Sequence, residues 1–235
     1  TTADNSTQLK LVSTDTDASV GPKLDLHRNS ANPAADDIIG VIRFIGEDSD
    51  SNEQEYAKIR AHIIDPTSGS EDTKLVIQTQ TGGAGFERLM FSPTETNFND
   101  DGGNIDFRVE SDTNANMLFV DAGNNCVNIG TTNNHGGLLN VQTSDNSANL
   151  VLSCIDTDAS SGPVLELTRD NSSAADSDEI GVIRFKADNS ANSLHTYANI
   201  GVTLGDVTDG TEDGTLNIQT IMAGTSRDRM TIRSS

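Results

Sequence analysis

The chain has 235 residues, a formal net charge of −21, a hydrophobic share of 34% and no Trp. The acidity disfavours nucleic-acid binding, because a basic surface is needed to displace counterions from phosphate. The low hydrophobic share argues against one thick core, and no apolar run is long enough to predict insertion into a membrane.

Apolar residues alternate with polar ones along the chain, beginning with Leu9 and Leu11 and again with Leu24 and Leu26. This period of two is typical of half-buried β-strands, and the Asp, Asn, Ser, Gly and Thr clusters between the runs are typical of turns. No window predicts a long helix, so we expect an all-β fold. The pattern predicts strands at 8–14, 23–28, 38–45, 56–64, 74–80, 87–92, 105–110, 117–121, 126–129, 138–142, 149–155, 164–168, 180–186, 197–204, 215–222 and 228–233.

The chain also repeats itself, since residues 4–91 align with residues 145–232 at a constant offset of 141 without a gap. About four aligned positions in ten are identical, and where the copies differ the apolar set of each strand is kept while the polar face changes. That asymmetry is expected when one face of a strand packs and the other is free to vary. The predicted domains are a β module at 1–92, a short β linker at 93–144 and a second β module at 145–235.

An all-β array has open strand edges, which invite uncontrolled pairing unless they are closed, charged or covered. Winding several chains around a threefold axis closes these edges. We therefore expect an elongated array of two repeated β modules in a homotrimeric fibre, with the aliphatic side chains buried where three copies meet. Both chain ends fall inside a repeat, so we also expect the chain to be a piece of a longer array.

Two acidic clusters are candidates for Ca²⁺, which takes six to eight oxygen ligands. They are Asp15 and Asp17 with their counterparts Asp156 and Asp158, and the group Asp100, Asp101, Asn104 and Asp106. Neither has the EF-hand or nonapeptide spacing, and Asx-turns explain the first cluster equally well.

The four histidines do not form an HxH or HExxH pair; they are His27, His62, His135 and His195. We predict no metal site and no cofactor, although threefold symmetry could still gather three copies of one His around an ion. The chain has no nucleophile-elbow or phosphate-loop motif, and 36 acidic residues make chance carboxylate pairs uninformative. We therefore predict no catalytic residues and no enzymatic activity.

Three arginines recur in the second copy, where Arg28, Arg43 and Arg88 become Arg169, Arg184 and Arg229. We expect them to pair with nearby acids and fix the strand register, with a ligand clamp as the alternative. The two cysteines are Cys126 and Cys154. Because Cys154 aligns with Ser13, we expect it to be a small half-buried side chain, and a disulfide between the two cysteines is the alternative.

The stretch from Asn104 onward resembles a "FRVES…LFVD…IGTT" element of tail-fibre-like proteins of tailed bacteriophages, especially marine ones, which also occurs in some bacterial surface proteins. The segments that match are Asp106–Glu110, Met117–Asp121, Asn128–Thr132, Leu138–Val141 and, more loosely, Glu87–Phe91 and Arg227–Ile232. The family usually has Gly at the position of Asn128 and often Ser-Pro at Asn133-Asn134. Within this element, Gly123-Asn124-Asn125 predicts a tight turn, Gly130 a close backbone approach, and Phe119 and Val120 packing at the fibre axis.

The resemblance implies a trimeric, β-rich structural segment of a phage tail fibre or related virion appendage that supports host attachment. Its implied partners are copies of itself, other tail or baseplate proteins of the virion, and a host surface glycan or protein. The alternatives are a capsid decoration or head fibre, a bacterial surface adhesin or filament subunit, and a polysaccharide-degrading tailspike. The loops that differ most between the copies are the expected surface contacts, namely 29–37, 46–55, 169–178 and 187–195.

Overall fold

In a computed structural model of the chain, the structure describes residues 6–18, 21–159 and 161–234. Every regular element within these ranges is a β-strand, so the all-β fold class is confirmed. The chain divides into two compact units, Thr1–Asn149 and Leu150–Ser235.

The first unit contains sheet A, an antiparallel sheet whose five strands lie side by side in chain order. Asp48 closes the turn between the first two strands, because its Oδ1 accepts hydrogen bonds from the backbone N–H groups of Asp50 and Asn52, both at 2.9 Å. The sequence pattern predicted the first four strands and missed the fifth, which has too few residues to show alternation. The strands are β1 (Ile38–Glu47), β2 (Glu53–Asp65), β3 (Asp72–Thr81), β4 (Ala84–Phe91) and β5 (Thr96–Phe98).

The first unit also contains sheet B, a smaller sheet of four short strands. Its strands β6 and β7 and its strands β7 and β8 are antiparallel, whereas β8 and β9 are parallel. The predicted tight turn lies between β7 and β8: Asn124 donates its backbone N–H to Asp121 Oδ1 at 2.9 Å, and Asn125 has a φ of 52°. The strands are β6 (Phe107–Val109), β7 (Leu118–Asp121), β8 (Cys126–Ile129) and β9 (Leu139–Val141).

The interior of sheet B is partly polar. Asn128 is fully buried, and its Oδ1 accepts a hydrogen bond of 2.8 Å from Nδ2 of Asn140 on the neighbouring parallel strand. A buried amide is stable only when it is hydrogen-bonded, so this pair fixes the register of β8 against β9. Gly130 follows with a φ of +77°, and a Cβ at this position would lie 2.3 Å from the carbonyl oxygen of Gln142. Only glycine fits this approach.

The second unit contains sheet C, an antiparallel sheet in chain order with the same pairing as the first four strands of sheet A. Every register irregularity recurs at the repeat offset; for example, the one between Phe44 and Ile45 recurs between Phe185 and Lys186. The two copies therefore share their β-bulges as well as their apolar pattern. The strands are β10 (Glu179–Asp188), β11 (Leu194–Asp206), β12 (Asp213–Met222) and β13 (Thr225–Arg233).

The predicted strands at 8–14, 23–28, 149–155 and 164–168 are wrong: none of these segments is a strand in the structure. Alternation of side chains describes which residues share a face, but a strand also needs a hydrogen-bonded neighbour. Between described residues of this chain, no such neighbour lies beside these segments.

Candidate assembly surface

Sheet A has one face on which two neighbouring rows are almost wholly apolar. Residues paired directly across antiparallel strands lie on the same face, so the register assigns each side chain to a side. We call this side the aliphatic face. One row across it consists of Ile42, Ile59, Ile77, Leu89 and Phe98, and the next consists of Gly40, Ala61, Leu75, Phe91 and Thr96.

Sheet C has the same aliphatic face. Its central row consists of Ile183, Ile200, Ile218 and Met230, and the adjacent row consists of Gly181, Val202, Leu216 and Ile232. Every position that the two sheets share in these rows is glycine or apolar in both copies. The repeat therefore preserves one packing surface, which is the inward set that the sequence pattern indicated.

The aliphatic faces are only partly covered in the chain itself. Ile42 remains 43% exposed and its counterpart Ile183 remains 42% exposed. Among described residues, the buried hydrophobic side chains are Val76, Met90, Phe119 and Cys126. The first two lie on the opposite face of sheet A and the other two lie in sheet B, so the best-conserved surface of the repeat is not the interior of its own unit.

The end of the segment that precedes each sheet lies against this face. We call residues 9–28 arm 1 and residues 150–169 arm 2; residues 19, 20 and 160 lie outside the described residues. A Cβ added to Gly40 would lie 2.8 Å from Cβ of Leu26, which shows how closely arm 1 approaches β1. Arm 2 repeats the contact between Leu167 and Gly181, at 3.0 Å.

An arginine fixes the end of each arm. Arg28 donates one hydrogen bond to the carbonyl oxygen of Ile38 at 3.0 Å and forms an ion pair with Asp37 at 2.8 Å. Arg169 repeats both contacts with Glu179 and Asp178. The contacts of Leu26 with Gly40 and of Arg28 with Ile38 follow opposite chain directions, so the end of arm 1 runs antiparallel to β1.

Between described residues, no backbone hydrogen bond links either arm to a strand. Their alternating leucines are exposed, and Leu26 borders an apolar cleft of about 160 Å³ with Ile42, Ile59 and Leu75. The end of arm 1 and the aliphatic face of sheet A thus share one open apolar cleft.

The opposite face of sheet A, which we call the outer face, is rich in charge. Glu55 accepts from Arg43 at 2.5 Å and from Lys58 at 2.9 Å, and both cations hold the pKa of Glu55 below its ordinary value. Arg60 forms an ion pair with Glu87, and both side chains are more than three-quarters buried. These long side chains surround Val76, which is paired with Arg60 across the strands and has no exposed surface.

His62 is the buried titratable group of this outer face. Its side chain is 8% exposed and its Nε2 has no hydrogen-bond partner among the described residues. Burial lowers the pKa of His62, and the nearby Arg60 and Lys74 cations act in the same direction. The imidazole ring is therefore held neutral. The second copy has Thr203 at the equivalent position.

The outer face of the second copy is different in kind. The positions of Lys58, Arg60 and Val76 are occupied by Asn199, Gly201 and Asn217. A shallow polar groove of about 120 Å³ takes the place of the charged cluster. The outer face therefore tolerates replacement of both charge and volume, whereas the shared positions of the aliphatic rows change only among apolar residues, as from Ala61 to Val202.

The repeated arginines contact neighbours within the chain. Arg184 lies 3.7 Å from Glu179, so Arg43 and Arg184 both face an acid but at different positions of the repeat. Arg88 and Arg229 instead donate to threonine hydroxyls, to Thr79 and its counterpart, both at 2.6 Å. The expected pairing with acids is confirmed for Arg28 and Arg43 with their counterparts, and it is wrong for Arg88 and Arg229.

The acids considered for Ca²⁺ are each engaged locally. Asp15 and Asp156 accept from the backbone N–H two residues later, at 3.3 Å in both copies, which is the Asx-turn alternative. Asp101 accepts from the backbone of Glu87 and Asp106 from that of Ala122. Within the described ranges, no three His, Cys, Asp or Glu side chains are grouped as a metal site would require.

The cysteines and histidines also lie apart. Both cysteines are free: Cys126 is buried in sheet B, whereas Cys154 is exposed on arm 2, so its expected half-burial is wrong. His135 lies 3.0 Å from Gln142, and no contact brings the four histidines together in the part of the chain that is described. Phe119 is buried within its own sheet, while Val120 is 36% exposed.

No family model matches the chain, and no curated protein or solved structure is significantly similar to it. No helix among the described residues is long and apolar enough to cross a bilayer. The resemblance to phage tail-fibre proteins therefore stays a hypothesis that depends on the matched segments.

Proposed function

We propose that this chain is a non-enzymatic structural segment of a phage tail fibre or related virion appendage, assembled as a homotrimer. The observation that supports this most directly is the duplicated aliphatic face, which both copies preserve and neither covers. A surface that is conserved in character between repeats and left open in one chain is expected where chains meet.

Exposed apolar side chains support the same proposal. Phe44 is 54% exposed and its counterpart Phe185 is 53% exposed. Apolar surface that is left open at the same place in both copies is expected where chains meet.

The proposed role is mechanical and adhesive. Repeated β modules would hold a receptor-binding surface away from the particle, and display in several copies raises the effective affinity of weak contacts. The loops that vary between copies lie partly at hairpin tips, because 46–55 joins β1 to β2 and 187–195 joins β10 to β11. We propose these loops for contact with a host glycan or protein, and other tail or baseplate proteins as the structural neighbours.

Two measurements test this proposal. Sedimentation equilibrium should give the mass of three chains of 24.9 kDa each at micromolar concentration, and a stable monomer would reject the assembly. Antibody raised against the chain should label a tail appendage in micrographs of the parent particle. Label on the head would favour a capsid fibre, and label on a bacterial surface would favour an adhesin.

A further inference from the structure

Each arm has two properties that bear on how its backbone pairs. Their leucines alternate as in a strand, yet no backbone hydrogen bond between described residues joins them to one. Exposed edge segments of this kind are templates for pairing with another chain. The feature recurs: arm 2 has the same alternation, the same glycine contact and the same arginine contacts as arm 1.

We propose that arm 1 and arm 2 are β-strands completed by a second copy of this chain, with their backbone groups paired between chains and their leucines closed over the aliphatic faces. This inference rests on the proposed assembly, and it identifies the segments through which the chains pair with one another. The arms, rather than the outer faces, are the inter-chain elements.

The repeat itself identifies the partner. The two aliphatic faces have equivalent apolar rows, so a surface that fits one of them also fits the other. Another copy of this chain has two arms and two aliphatic faces at the same offset of 141 residues. Charge agrees with this choice, because the arm leucines and the central rows are uncharged, so self-association brings together the least acidic surfaces of a chain with a net charge of −21.

Leu26 shows how the contact is prepared. Its side chain packs on Gly40 at the edge of the sheet, where a larger residue would displace it, and Arg28 fixes the following turn of chain. The arm is thus positioned before any partner binds, while Leu24 remains 59% exposed. A pre-positioned but unpaired strand loses less conformational entropy on pairing than a free one.

Hydrogen exchange of the intact chain measures the pairing directly. In the assembled protein, the arm amides should exchange at least about 100-fold more slowly than in an unstructured peptide, at rates that approach the exchange rates of β11. The amides to be followed are those of residues 9–16, 21–28, 150–157 and 162–169. Dilution below the dissociation concentration should release the arms first and leave β11 protected. An assembled trimer whose arm amides exchange freely would overturn the arm pairing and leave the proposed assembly intact.

A spin label on the arms supplies an independent probe. Cys154 shares the side of arm 2 that carries Leu150 and Leu152, so the label is moved to the opposite side with Ser153→Cys and Cys154→Ser. Cys126 is buried, and a nitroxide reagent should then add one label per chain. The label should be immobile and show dipolar broadening that disappears when labelled chains are refolded with excess unlabelled ones. A matched variant places the probe at the equivalent position of arm 1, with Val12→Cys and Cys154→Ser, and should give the same spectrum. Sharp, mobile spectra in both assembled proteins would refute the proposal, and a monomeric protein would refute both it and the assembly.

Discussion

Threonine substitution in the central aliphatic rows separates a buried interface from a merely exposed face. We consider the double variant Ile42→Thr and Ile183→Thr. Threonine keeps the β-branch and the strand preference, so each sheet should still form. If the face is bare in solution, the change should cost only what the part of each side chain already covered by its own chain contributes, roughly 1 kcal/mol at each position, and this cost should not depend on protein concentration.

The magnitude follows from the exposed fractions. Burial of a whole Ile side chain stabilises by about 1.5–3 kcal/mol. Since 43% of Ile42 and 42% of Ile183 are still exposed, cover by another copy adds roughly 1 kcal/mol at each position. That is about 2 kcal/mol per chain and about 6 per trimer, or roughly a ten-thousandfold change in the assembly constant. The methyl group that Thr retains makes the loss of assembly free energy smaller, and the hydroxyl group that must be desolvated makes it larger.

Sedimentation velocity over a concentration series measures this change. The Ile variant should dissociate at concentrations where the parent chain is assembled. The matched control is Val41→Thr with Val182→Thr, which changes the adjacent residue of each strand on the outer face and should leave assembly intact. Equal sedimentation of the Ile variant and the parent would refute the reasoning, as would an equal loss of assembly in the Val variant.

Three further predictions concern the first unit: its buried ion pair, its buried histidine and the close backbone approach at Gly130. Glu87→Gln leaves the largely buried Arg60 without its counter-charge and should lower the free energy of unfolding by about 2–3 kcal/mol. The equivalent change in the second copy, Asp228→Asn, is exposed and should lower it by less than about 0.5 kcal/mol. Thermal melts of the two variants measure the difference. His62 has a folded-state pKa below its unfolded value, so its stabilising contribution is full above about pH 6.5 and is lost as pH falls towards the folded pKa. The melting temperature of the parent should therefore fall between pH 6.5 and 5 more than that of His62→Thr, and parallel pH profiles would contradict the assignment. Gly130→Ala meets both a positive φ and a carbonyl oxygen 2.3 Å away, and should cost more than about 3 kcal/mol, while Gly136→Ala meets only a positive φ and should cost about 1; urea titration that finds equal costs would rule out the close approach as the cause.

The sequence predicted the strands of both sheets because their side-chain alternation is determined locally. Ile42 and Phe44 alternate with Val41 and Arg43 whatever the partner strand is. The arms failed as predictions for the same reason: the alternation of Leu24 and Leu26 identifies a face, but not which backbone will pair with it. The structure of a single chain then leaves those groups unpaired.

Only part of the candidate surface could be predicted from the sequence. Comparing the two copies indicated which residues pack together, since the aliphatic rows were the positions that stayed apolar. The outer-face cluster was not predicted, because Arg60 and Glu87 are 27 residues apart and meet only once the register of three strands is known. The burial of His62 depends on the same register, and no local pattern marks it.

The matching β-bulges of the two sheets have a genetic consequence. Because every irregularity recurs at the same place, a crossover between the two copies of the coding sequence joins strands that are already in step. Unequal recombination would then lengthen or shorten the polypeptide by whole units of 141 residues without frame or pairing errors at the junction. Relatives of this gene should accordingly differ in copy number more readily than in the spacing within a copy.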